Sequence, residues 1–383
     1  MSRLRPSLEQ TTRLVARALG MAPQQLQANL RIATLTDLPA VLNLRSRILA
    51  NKLDWDDSAY LTWRYRLGAN SGGQGDLWVL ERQGQLLAVV GTEDLQAQWQ
   101  NHRWTARSTM DIMVEPDLGD IGLGAWLNLS LQNKNADLVL AIGSNPHSFG
   151  LVKRLFDELP NRRSFVYPLR FDHLLAKHMP FKAAIRPVAA LSQWALKVSR
   201  RLLLGSTPNR YRIEAVSHMN PDWRQGLDAL LAHPPHPLHL HLQRTAAYLD
   251  WRVLQNPKGA GRLWGLWDGK ALLAYATTHC QTTANGCTAL LISDMSTSLT
   301  REAQAMWRPL LRAILDDGQS KGHEYATITS YNHVLDNEFK RIGARQRFNE
   351  YETLAYTCSE AVRALMPTPA TDWTLNDIHT DRA

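Results

Sequence analysis

Hydrophobic residues recur at roughly helical spacing over residues 7–27, which predicts a helical extension covering residues 1–27. From residue 29 onwards the pattern changes to short apolar stretches that alternate with amphipathic ones. It predicts a first series of strands and helices in the order β α β β β α β α. The predicted strands are 30–34, 77–81, 85–91, 108–114 and 136–142, and the predicted helices end near residue 50, begin near residue 123 and span about 146–156.

A glycine-rich turn lies between strand 108–114 and the helix that follows it. Residues 114–127 read VEPDLGDIGLGAWL. Glycines let backbone N–H groups approach an anion without obstruction, and a helix N-terminus adds unpaired donors and a positive dipole end. The sequence therefore predicts a phosphate-binding cradle at this turn.

The same pattern occurs a second time along the chain. Three pairs of segments match in order and residue type: 60–64 with 248–252, 77–88 with 263–274, and 110–112 with 293–295. Agreement of order, spacing and type predicts a duplicated domain, with copies at 28–170 and 209–360. In the second copy the turn reads STSLTREAQ over residues 296–304, so its glycines are absent.

Two further segments lie outside the copies. The linker 171–208 contains a basic amphipathic stretch at 183–204, which predicts a helix interrupted at Pro187. Such a helix can bridge two domains, which is the favoured interpretation because apolar faces usually pack on protein. It can also lie on an anionic membrane surface as a peripheral contact. The end of the chain, 361–383, is predicted to be a flexible tail.

Composition is that of an ordinary globular protein, with 44% hydrophobic and 20% charged residues in 383. That length suits two or three domains. The formal charge of +8 indicates an anionic partner. Because no block of five basic residues occurs, the sequence does not favour nucleic acid as that partner. It does not predict an oligomeric state.

Cysteine usage and the N-terminus bear on the compartment. The three cysteines include no CxxC pair, and an odd number fits no complete disulfide framework. Residues 1–10 lack an apolar signal core, and no run of 18 apolar residues occurs. We therefore expect a cytoplasmic protein.

The order of segments and the pattern Val-x-Pro-x-x-x-x-x-Gly-x-Gly at residues 114–124 resemble the GNAT family of acyl-CoA-dependent N-acyltransferases. The resemblance covers both copies, although only the first keeps the glycines. It implies an α/β (α+β) fold of two tandem GNAT-like domains, each a mixed, mostly antiparallel sheet flanked by helices. It also implies transfer of an acyl group, with acetyl from acetyl-CoA as the expected one, to a small-molecule amine. The donor would occupy the first domain, and the second would shape the acceptor cleft.

The resemblance also implies which residues hold the acyl-CoA. The acyl carbonyl would lie near the backbone of Val114, and Asn145 would help to hold the pantetheine arm. Asn332 is the counterpart of Asn145 in the second copy, so a structural role for this position stays open. The pyrophosphate would bind the backbone N–H groups of Gly119, Asp120, Ile121, Gly122, Leu123, Gly124 and Ala125.

The first part of the cradle departs from the family pattern. Gly119, Asp120 and Ile121 stand where the family has a basic or amide residue, a glycine and a second basic residue. Asp117 and Asp120 place negative charge beside the expected anion site, which predicts weaker donor binding unless solvent or a cation offsets it. Lys153 and Arg154 are the candidate cations.

Catalytic groups are the second departure. The family's usual general acid is a tyrosine seven residues after the Asn145 position, where this chain has Val152. Ser148 or a water molecule is the candidate replacement. Asp111 is the best-placed carboxylate for a general base, but its counterpart Asp294 lies in the copy without a cradle, which favours a structural role.

Two other features are interpreted as structural. Residues 233–241, HPPHPLHLH, are rich in histidine, but no cysteine or acidic ligand is adjacent, so no metal is expected. The Trp63-Arg64 pair recurs as Trp251-Arg252, which indicates a packing role shared by both copies.

Two alternative functions stay open. A transferase of the FemABX type, which takes its acyl group from aminoacyl-tRNA, is compatible with the +8 charge. A non-catalytic acyl-CoA-binding or scaffold protein would account for Val152 and for the acidic cradle.

Overall fold

The computed structural model describes residues 6–49, 57–68, 72–132, 136–144, 148–159, 162–172, 175–176, 182–233, 239–259, 261–282, 286–297, 305–331, 333–348, 354–365, 373–376 and 378. The chain forms two compact units. Unit 1 comprises Met1–Asn161 and Glu350–Ala370, and unit 2 comprises Arg162–Asn349 and Thr371–Ala383.

Helices and strands alternate along the whole chain. The first part contains α1 (Leu8–Ala18), α2 (Pro23–Ala28), β1 (Leu30–Ile32), α3 (Leu38–Leu49), α4 (Asp57–Arg64), β2 (Asp76–Arg82), β3 (Gln85–Trp99), β4 (His102–Val114), α5 (Leu123–Gln132), β5 (Leu138–Ile142), α6 (Phe149–Leu155) and β6 (Asp157–Leu159). The second contains β7 (Arg163–Pro168), α7 (Lys182–Leu204), β8 (Tyr211–Val216), α8 (Pro221–Leu231), β9 (Leu240–Leu242), α9 (Ala246–Leu249), β10 (Arg262–Asp268), β11 (Ala271–Thr282), β12 (Thr288–Thr297), α10 (Trp307–Ser320), β13 (Tyr325–Tyr331), α11 (His333–Arg341), β14 (Arg345–Arg347), β15 (Leu354–Cys358), α12 (Glu360–Leu365) and β16 (Trp373–Asn376).

The sheet of unit 1 is mixed and mostly antiparallel. Strands β1 to β4 pair antiparallel in sequence order, and β4 then pairs parallel with β5. Strand β15 pairs antiparallel with β5 and with β6. In unit 2 the order is β8, β10, β11, β12, β13, β7 and β14, and among these neighbouring pairs β12–β13 is parallel and the others are antiparallel. The fold class predicted from the sequence is confirmed.

Each unit is closed by a strand that belongs, by sequence, to the other copy. Strand β7 falls within 28–170, yet it pairs with β13 in unit 2, from Tyr325 opposite Pro168 to Ser330 opposite Arg163. Strand β15 falls within 209–360, yet it pairs with β5 in unit 1 along the full length of β5. The two copies have therefore exchanged their closing strands.

The N-terminal extension packs on unit 1. The side chain of Ser7 caps α1 by accepting a hydrogen bond from the N–H of Gln10. Val15 is fully buried in one cluster with Leu26 of α2 and Trp126 of α5. The Trp126 indole donates to the Thr12 hydroxyl over 3.0 Å. The extension therefore packs against α5, the helix that follows the glycine-rich turn, and stabilises its position.

The hairpin of β3 and β4 is longer than the apolar pattern predicts. It pairs continuously from Gly91 opposite Met110 out to Trp99 opposite His102. Charged residues interrupt the apolar pattern here, but they pair with one another. The Arg107 guanidinium binds the Asp94 carboxylate with an N–O distance of 2.7 Å.

The segment 361–383, expected to be a flexible tail, contains helix α12 and strand β16. Strand β16 pairs antiparallel with the end of β13 and parallel with β9. Trp373 is 1% exposed and Ile378 is fully buried among the core residues of α8, α9 and β10. Residues 373–376 and 378 are therefore an internal part of unit 2, whereas α12 belongs to unit 1.

The predicted linker helix is present as α7, which continues through Pro187 instead of being interrupted there. Leu204 lies in the main core of unit 2, and Leu196 and Leu203 pack against that core. Across the described residues, the helices are all too short or too polar to cross a lipid bilayer.

His241 is a buried titratable group on β9, with 5% of its surface exposed. Its Nδ1 lies 3.3 Å from the carbonyl oxygen of His239. Burial, reinforced by the positive charge of Arg244, lowers the pKa of His241 from 6.5 to about 4. The side chain is therefore neutral in the folded protein at pH 7.

Trp373→Ala should lower the stability of unit 2 by about 3–5 kcal/mol, because it leaves a large cavity beside β9 and β13. Thermal unfolding followed by circular dichroism measures this loss. Leu365→Ala is the control, since Leu365 is 44% exposed and should change the unfolding midpoint little. Equal midpoints for the two variants would show that the end of the chain contributes no core.

The low pKa of His241 makes stability depend on pH. Because an unfolded histidine binds a proton below pH 6.5 and the folded one only near pH 4, acid favours the unfolded state. The free energy of unfolding should fall by up to about 3 kcal/mol from pH 6.5 to 4 on account of this group. Urea unfolding of His241→Gln should show a shallower decline. The exposed His218 is the control position, and His218→Gln should keep the parent slope.

Candidate functional site

Strand β4 carries a bulge just before the glycine-rich turn. Val89 of β3 lies opposite Met113 and Gly91 lies opposite Met110, so β4 has one extra residue between them. Asp111 lies at this bulge with φ of +47°, a left-handed conformation that aspartate tolerates better than most residues. The bulge bends β4 locally, and beyond it Met113 and Val114 remain paired with β3.

The Asp111 carboxylate is bound by three side chains. Its Oδ1 lies 3.2 Å from Nη1 of Arg45, and its Oδ2 accepts hydrogen bonds from Tyr60 at 3.1 Å and Tyr65 at 2.5 Å. Arg45 also pairs with Asp57 at 3.2 Å. Burial lowers the pKa of Arg45, but the nearby negative charges outweigh it and raise the pKa overall. The Arg45 guanidinium therefore stays positively charged beside the Asp111 carboxylate.

Gly91 is required by this arrangement. A Cβ atom at Gly91 would lie 2.0 Å from the hydroxyl oxygen of Tyr65, which crosses over β3 to reach Asp111. No side chain fits in that space. The glycine and the tyrosine together thus fix the carboxylate at the bulge.

A second ion pair fixes the residue that follows β4. Glu115 is buried, and its carboxylate binds the Arg47 guanidinium through N–O distances of 2.5 and 3.1 Å. The N–H of Glu115 also donates to the carbonyl of Leu87 over 2.9 Å. Arg45 and Arg47 both lie on α3. Their ion pairs therefore connect that helix to Asp111 within β4 and to Glu115 directly after it.

The glycine-rich turn has two parts. Residues Pro116–Ile121 form a 3₁₀ helix, so Gly119, Asp120 and Ile121 lie in regular structure instead of an open loop. Gly122 follows with φ of +80° and α5 begins at Leu123. The N–H of Trp126 donates to the carbonyl of Gly122 at 3.0 Å, and Leu123, Gly124 and Ala125 form the first turn of this ten-residue helix. The N–H groups of a helix's first turn have no acceptor within their own helix and are the ones that bind anions.

Charged side chains surround the turn without covering it. Asp117 and Asp120 are both exposed, so water screens their charge. Helix α6 packs beside the start of α5, where Leu151 would lie 3.6 Å from a Cβ at Gly124. On the same helix the Lys153 ammonium lies 4.1 Å from the centre of the Phe149 ring. Arg154 is exposed.

The parallel strands β4 and β5 separate near the turn. They pair only from Ala106 opposite Leu138 to Ser108 opposite Leu140. Beyond Ser108, β4 continues for six residues to Val114, and β5 continues through Ala141 and Ile142. Among the strands the structure describes, none pairs with these last two residues on the side of β4. A gap between the strands therefore leads to Val114 and the start of α5.

Unit 2 has the same separation, but its gap is filled. Strands β12 and β13 pair from Ala289 opposite Tyr325 to Ile292 opposite Ile328. Because β7 pairs along one edge of β13, the pairing of β16 with Ser330 and Tyr331 must use the other edge, where β12 has diverged. The chain's own last strand therefore occupies the gap in unit 2.

The counterpart of Asp111 has equivalent partners in unit 2. Asp294 is fully buried, and its carboxylate lies 2.5 Å from Nη1 of Arg244 and 2.5 Å from the hydroxyl of Tyr275. Arg244 precedes α9, whereas Arg45 lies on α3, so the two arginines come from different elements. In each unit an arginine and a tyrosine thus bind the aspartate of the corresponding strand, which is β4 in unit 1 and β12 in unit 2.

The remaining positions considered in the sequence analysis are Ser148, Val152, Asn145 and Asn332. Ser148 directly precedes α6, and its carbonyl accepts a hydrogen bond from the N–H of Val152 at 3.0 Å. Val152 is buried in a core cluster with Val139 and Leu155, so this position is part of the core. Asn145 and Asn332 lie outside the described residues.

The Trp-Arg pairs have the packing role predicted for them. Trp63 and Trp251 are both buried. Arg64 is fully buried and binds the Glu93 carboxylate at 2.9 Å, whereas the Arg252 Nε donates to the carbonyl of Ile378 at 3.0 Å. Over the described ranges, no cluster of three or more histidine, cysteine or acidic side chains is suited to a metal.

Neither a protein-family model nor a curated protein sequence matches the chain. Solved structures do match it. A GCN5-related N-acetyltransferase from Anabaena variabilis aligns with a TM-score of 0.56 at 12% identity, covering 88% of this chain and 74% of that one. A conserved Enterococcus faecalis protein described as a probable N-acyltransferase gives 0.55 at 8% identity, covering 86% and 71%.

A third similar structure is Saccharomyces cerevisiae N-myristoyltransferase with bound myristoyl-CoA, with a TM-score of 0.53 at 9% identity. The alignment covers 86% of this chain and 77% of that one. Each of these alignments covers 86–88% of this chain and so includes residues of both units. The chain has the fold of the GNAT N-acyltransferases, in a tandem arrangement of two GNAT-like units.

Proposed function

We propose that this protein transfers an acyl group from acyl-CoA to a small-molecule amine, and that unit 1 holds the acyl-CoA. The observation that carries the proposal is the difference between the two strand gaps. In unit 1 none of the described strands pairs with the end of β5 on the side of β4, next to the first turn of α5. In unit 2 the equivalent gap contains β16. We therefore assign the donor to unit 1.

The unpaired backbone of the gap matches the chemistry of the donor. The pantetheine arm of CoA carries amide groups that can exchange hydrogen bonds with a strand edge, as β16 does with β13. Its pyrophosphate would accept hydrogen bonds from the N-terminus of α5. Val114, at the end of β4, would then lie beside the thioester carbonyl. Asn145 remains a proposed contact of the arm.

The 3₁₀ helix alters the expected contribution of the first cradle residues. The N–H groups of Gly119, Asp120 and Ile121 lie within that helix, so we assign the main anion contacts to Gly122, Leu123, Gly124 and Ala125. The exposed Asp117 and Asp120 oppose the pyrophosphate only through a screened interaction. Donor binding is therefore retained despite the acidic residues.

The chemical step needs a proton acceptor and a proton donor. The amine nitrogen attacks the thioester carbon, its proton passes to a base, and the C–S bond breaks to release CoA thiolate. We propose that Asp111 accepts the proton through a water molecule, and that Ser148 or water protonates the thiolate. A thiolate is a good leaving group, so the absence of a tyrosine at Val152 does not prevent the reaction. We propose acetyl as the transferred group and cytoplasm as the compartment.

Gly122→Glu should abolish CoA binding, because a carboxylate at the start of α5 repels and displaces the pyrophosphate. Gly84→Glu is a matched control: Gly84 has φ of +81° against +80° for Gly122, and neither position has an atom within 4 Å of an added Cβ. Both variants therefore carry the same backbone strain. Isothermal titration with CoA measures the difference.

The same titration separates the proposed function from its alternatives. Release of free thiol from acetyl-CoA and longer acyl-CoAs is measured in parallel against a panel of amines. CoA binding without turnover would favour a non-catalytic binding protein. Absence of CoA binding by the parent, or equal binding by Gly122→Glu and Gly84→Glu, would refute the donor site.

Asp111→Asn should lower the turnover number by about 10²-fold or more if Asp111 is the base. Asp294→Asn is the control, because it breaks the equivalent aspartate–arginine pair in the unit without an open gap. Asp294→Asn should lose about 3–5 kcal/mol of stability, because it removes the carboxylate that pairs with the buried Arg244. Asp111→Asn should lose less, because Arg45 keeps its ion pair with Asp57. Equal turnover per folded molecule in the two variants would assign Asp111 a purely structural role.

A further inference from the structure

Helix α7 is held on unit 2 by one face only. On that face Arg200 is fully buried, and its Nε donates to the Asp316 carboxylate of α10 over 2.9 Å. Gln319 of α10 donates to the backbone carbonyl of Gln193 over 3.3 Å, and Leu204 lies in the core of the unit. The helix is therefore fixed in orientation, with its opposite face directed away from the core.

The opposite face is apolar and exposed. Val188, Leu191, Trp194 and Leu202 are 37%, 65%, 63% and 78% exposed. Among the described residues nine large hydrophobic side chains are exposed, and these are four of them. Their spacing of three to eight residues places them in one stripe along the helix. Exposed apolar side chains concentrated on one helix face mark an interaction surface, whereas scattered ones do not.

A row of basic residues borders the stripe. Arg186, Lys197 and Arg201 are all exposed, and their spacing of eleven and four residues places them on one side of the helix. The sequence of α7 contains no aspartate or glutamate. The surface thus combines exposed tryptophan and leucine side chains with uncompensated positive charge.

We propose that this face of α7 binds the interface of an anionic lipid bilayer. The apolar stripe would enter the boundary between headgroups and acyl chains, where tryptophan is favoured, and the basic row would contact lipid phosphates. Because the helix is already folded and anchored by Arg200, binding requires no folding step. The proposal is independent of the acyl transfer proposed for unit 1.

Charge selects the bilayer over a second copy of the chain. Each copy has a formal charge of +8, so pairing two copies through this face would bring like charges together. An anionic membrane instead attracts each basic residue near its surface by about 1 kcal/mol. The occupant that matches both the stripe and its basic border is therefore an anionic lipid surface.

Flotation of the full-length protein with lipid vesicles tests the proposal. The protein should float with phosphatidylcholine vesicles that contain phosphatidylglycerol, and much less with phosphatidylcholine alone. The double variant Leu191→Glu, Trp194→Glu should reduce the partition coefficient about tenfold or more by placing two carboxylates in the stripe. Lys197→Gln and Arg201→Gln should each reduce it about fivefold. Binding should also weaken as salt is raised.

Leu14→Glu is the matched control. Leu14 is 67% exposed on the unit 1 helix α1, so a glutamate there should leave vesicle binding unchanged. Thermal unfolding checks that each variant is folded, and Leu202→Glu replaces the double variant if that one unfolds. Donor binding by Gly122 variants is measured separately, so failure of one proposal leaves the other intact.

Four results would overturn the membrane proposal. They are no flotation with phosphatidylglycerol vesicles, equal flotation with neutral vesicles, unchanged flotation of the glutamate variants, and self-association of the parent that those variants abolish in analytical ultracentrifugation. The last result would identify a second copy of the chain as the occupant.

Discussion

The separation of two parallel strands is the constraint on which this structure depends. Where β4 leaves β5, and where β12 leaves β13, backbone N–H and C=O groups lose their partners and need others. Unit 2 meets that need with β16, which hydrogen-bonds to the edge of β13 that β12 has left. In unit 1 no described strand pairs with the corresponding edge of β5. The separated strands are thus bridged by a strand of the same chain in unit 2. In unit 1 we propose that they form the acyl-CoA binding site.

The bulge aspartates show how the duplicated fold tolerates buried charge. Asp111 and Asp294 occupy corresponding strands, and each is bound by an arginine and by tyrosine hydroxyls. The arginines come from different elements, so the pairing was preserved while its source changed. A buried carboxylate that loses its cation is costly, which accounts for the presence of a cation in both places. The interaction is therefore compatible with catalysis in unit 1 without being evidence for it.

Local pattern was sufficient to predict most of the fold but little of the site's chemistry. Alternation and the internal repeat predict the strand order, the turn at Gly122 and the helix α5. They underestimate β3 and β4, because Glu93, Asp94 and Arg107 resemble a break in the apolar pattern until their partners are known. The roles of Arg45 and β16 also cannot be predicted from the sequence, since they arise from contacts between residues far apart in the chain. Pro187 predicts an interruption of the helix, but α7 continues through this position.

The exchange of β7 and β15 between the copies has a consequence for biosynthesis. Unit 1 needs Leu354–Cys358 to cover the outer edge of β5, and these residues are synthesised only after most of the second copy. The first copy must therefore wait, with an unpaired and apolar sheet edge, until the second has been translated. Chains of such high contact order fold slowly, and an exposed edge invites aggregation. A single cut just before β7 would leave unit 2 with all its strands but would remove β15 from unit 1, so unit 1 cannot be obtained as one continuous segment.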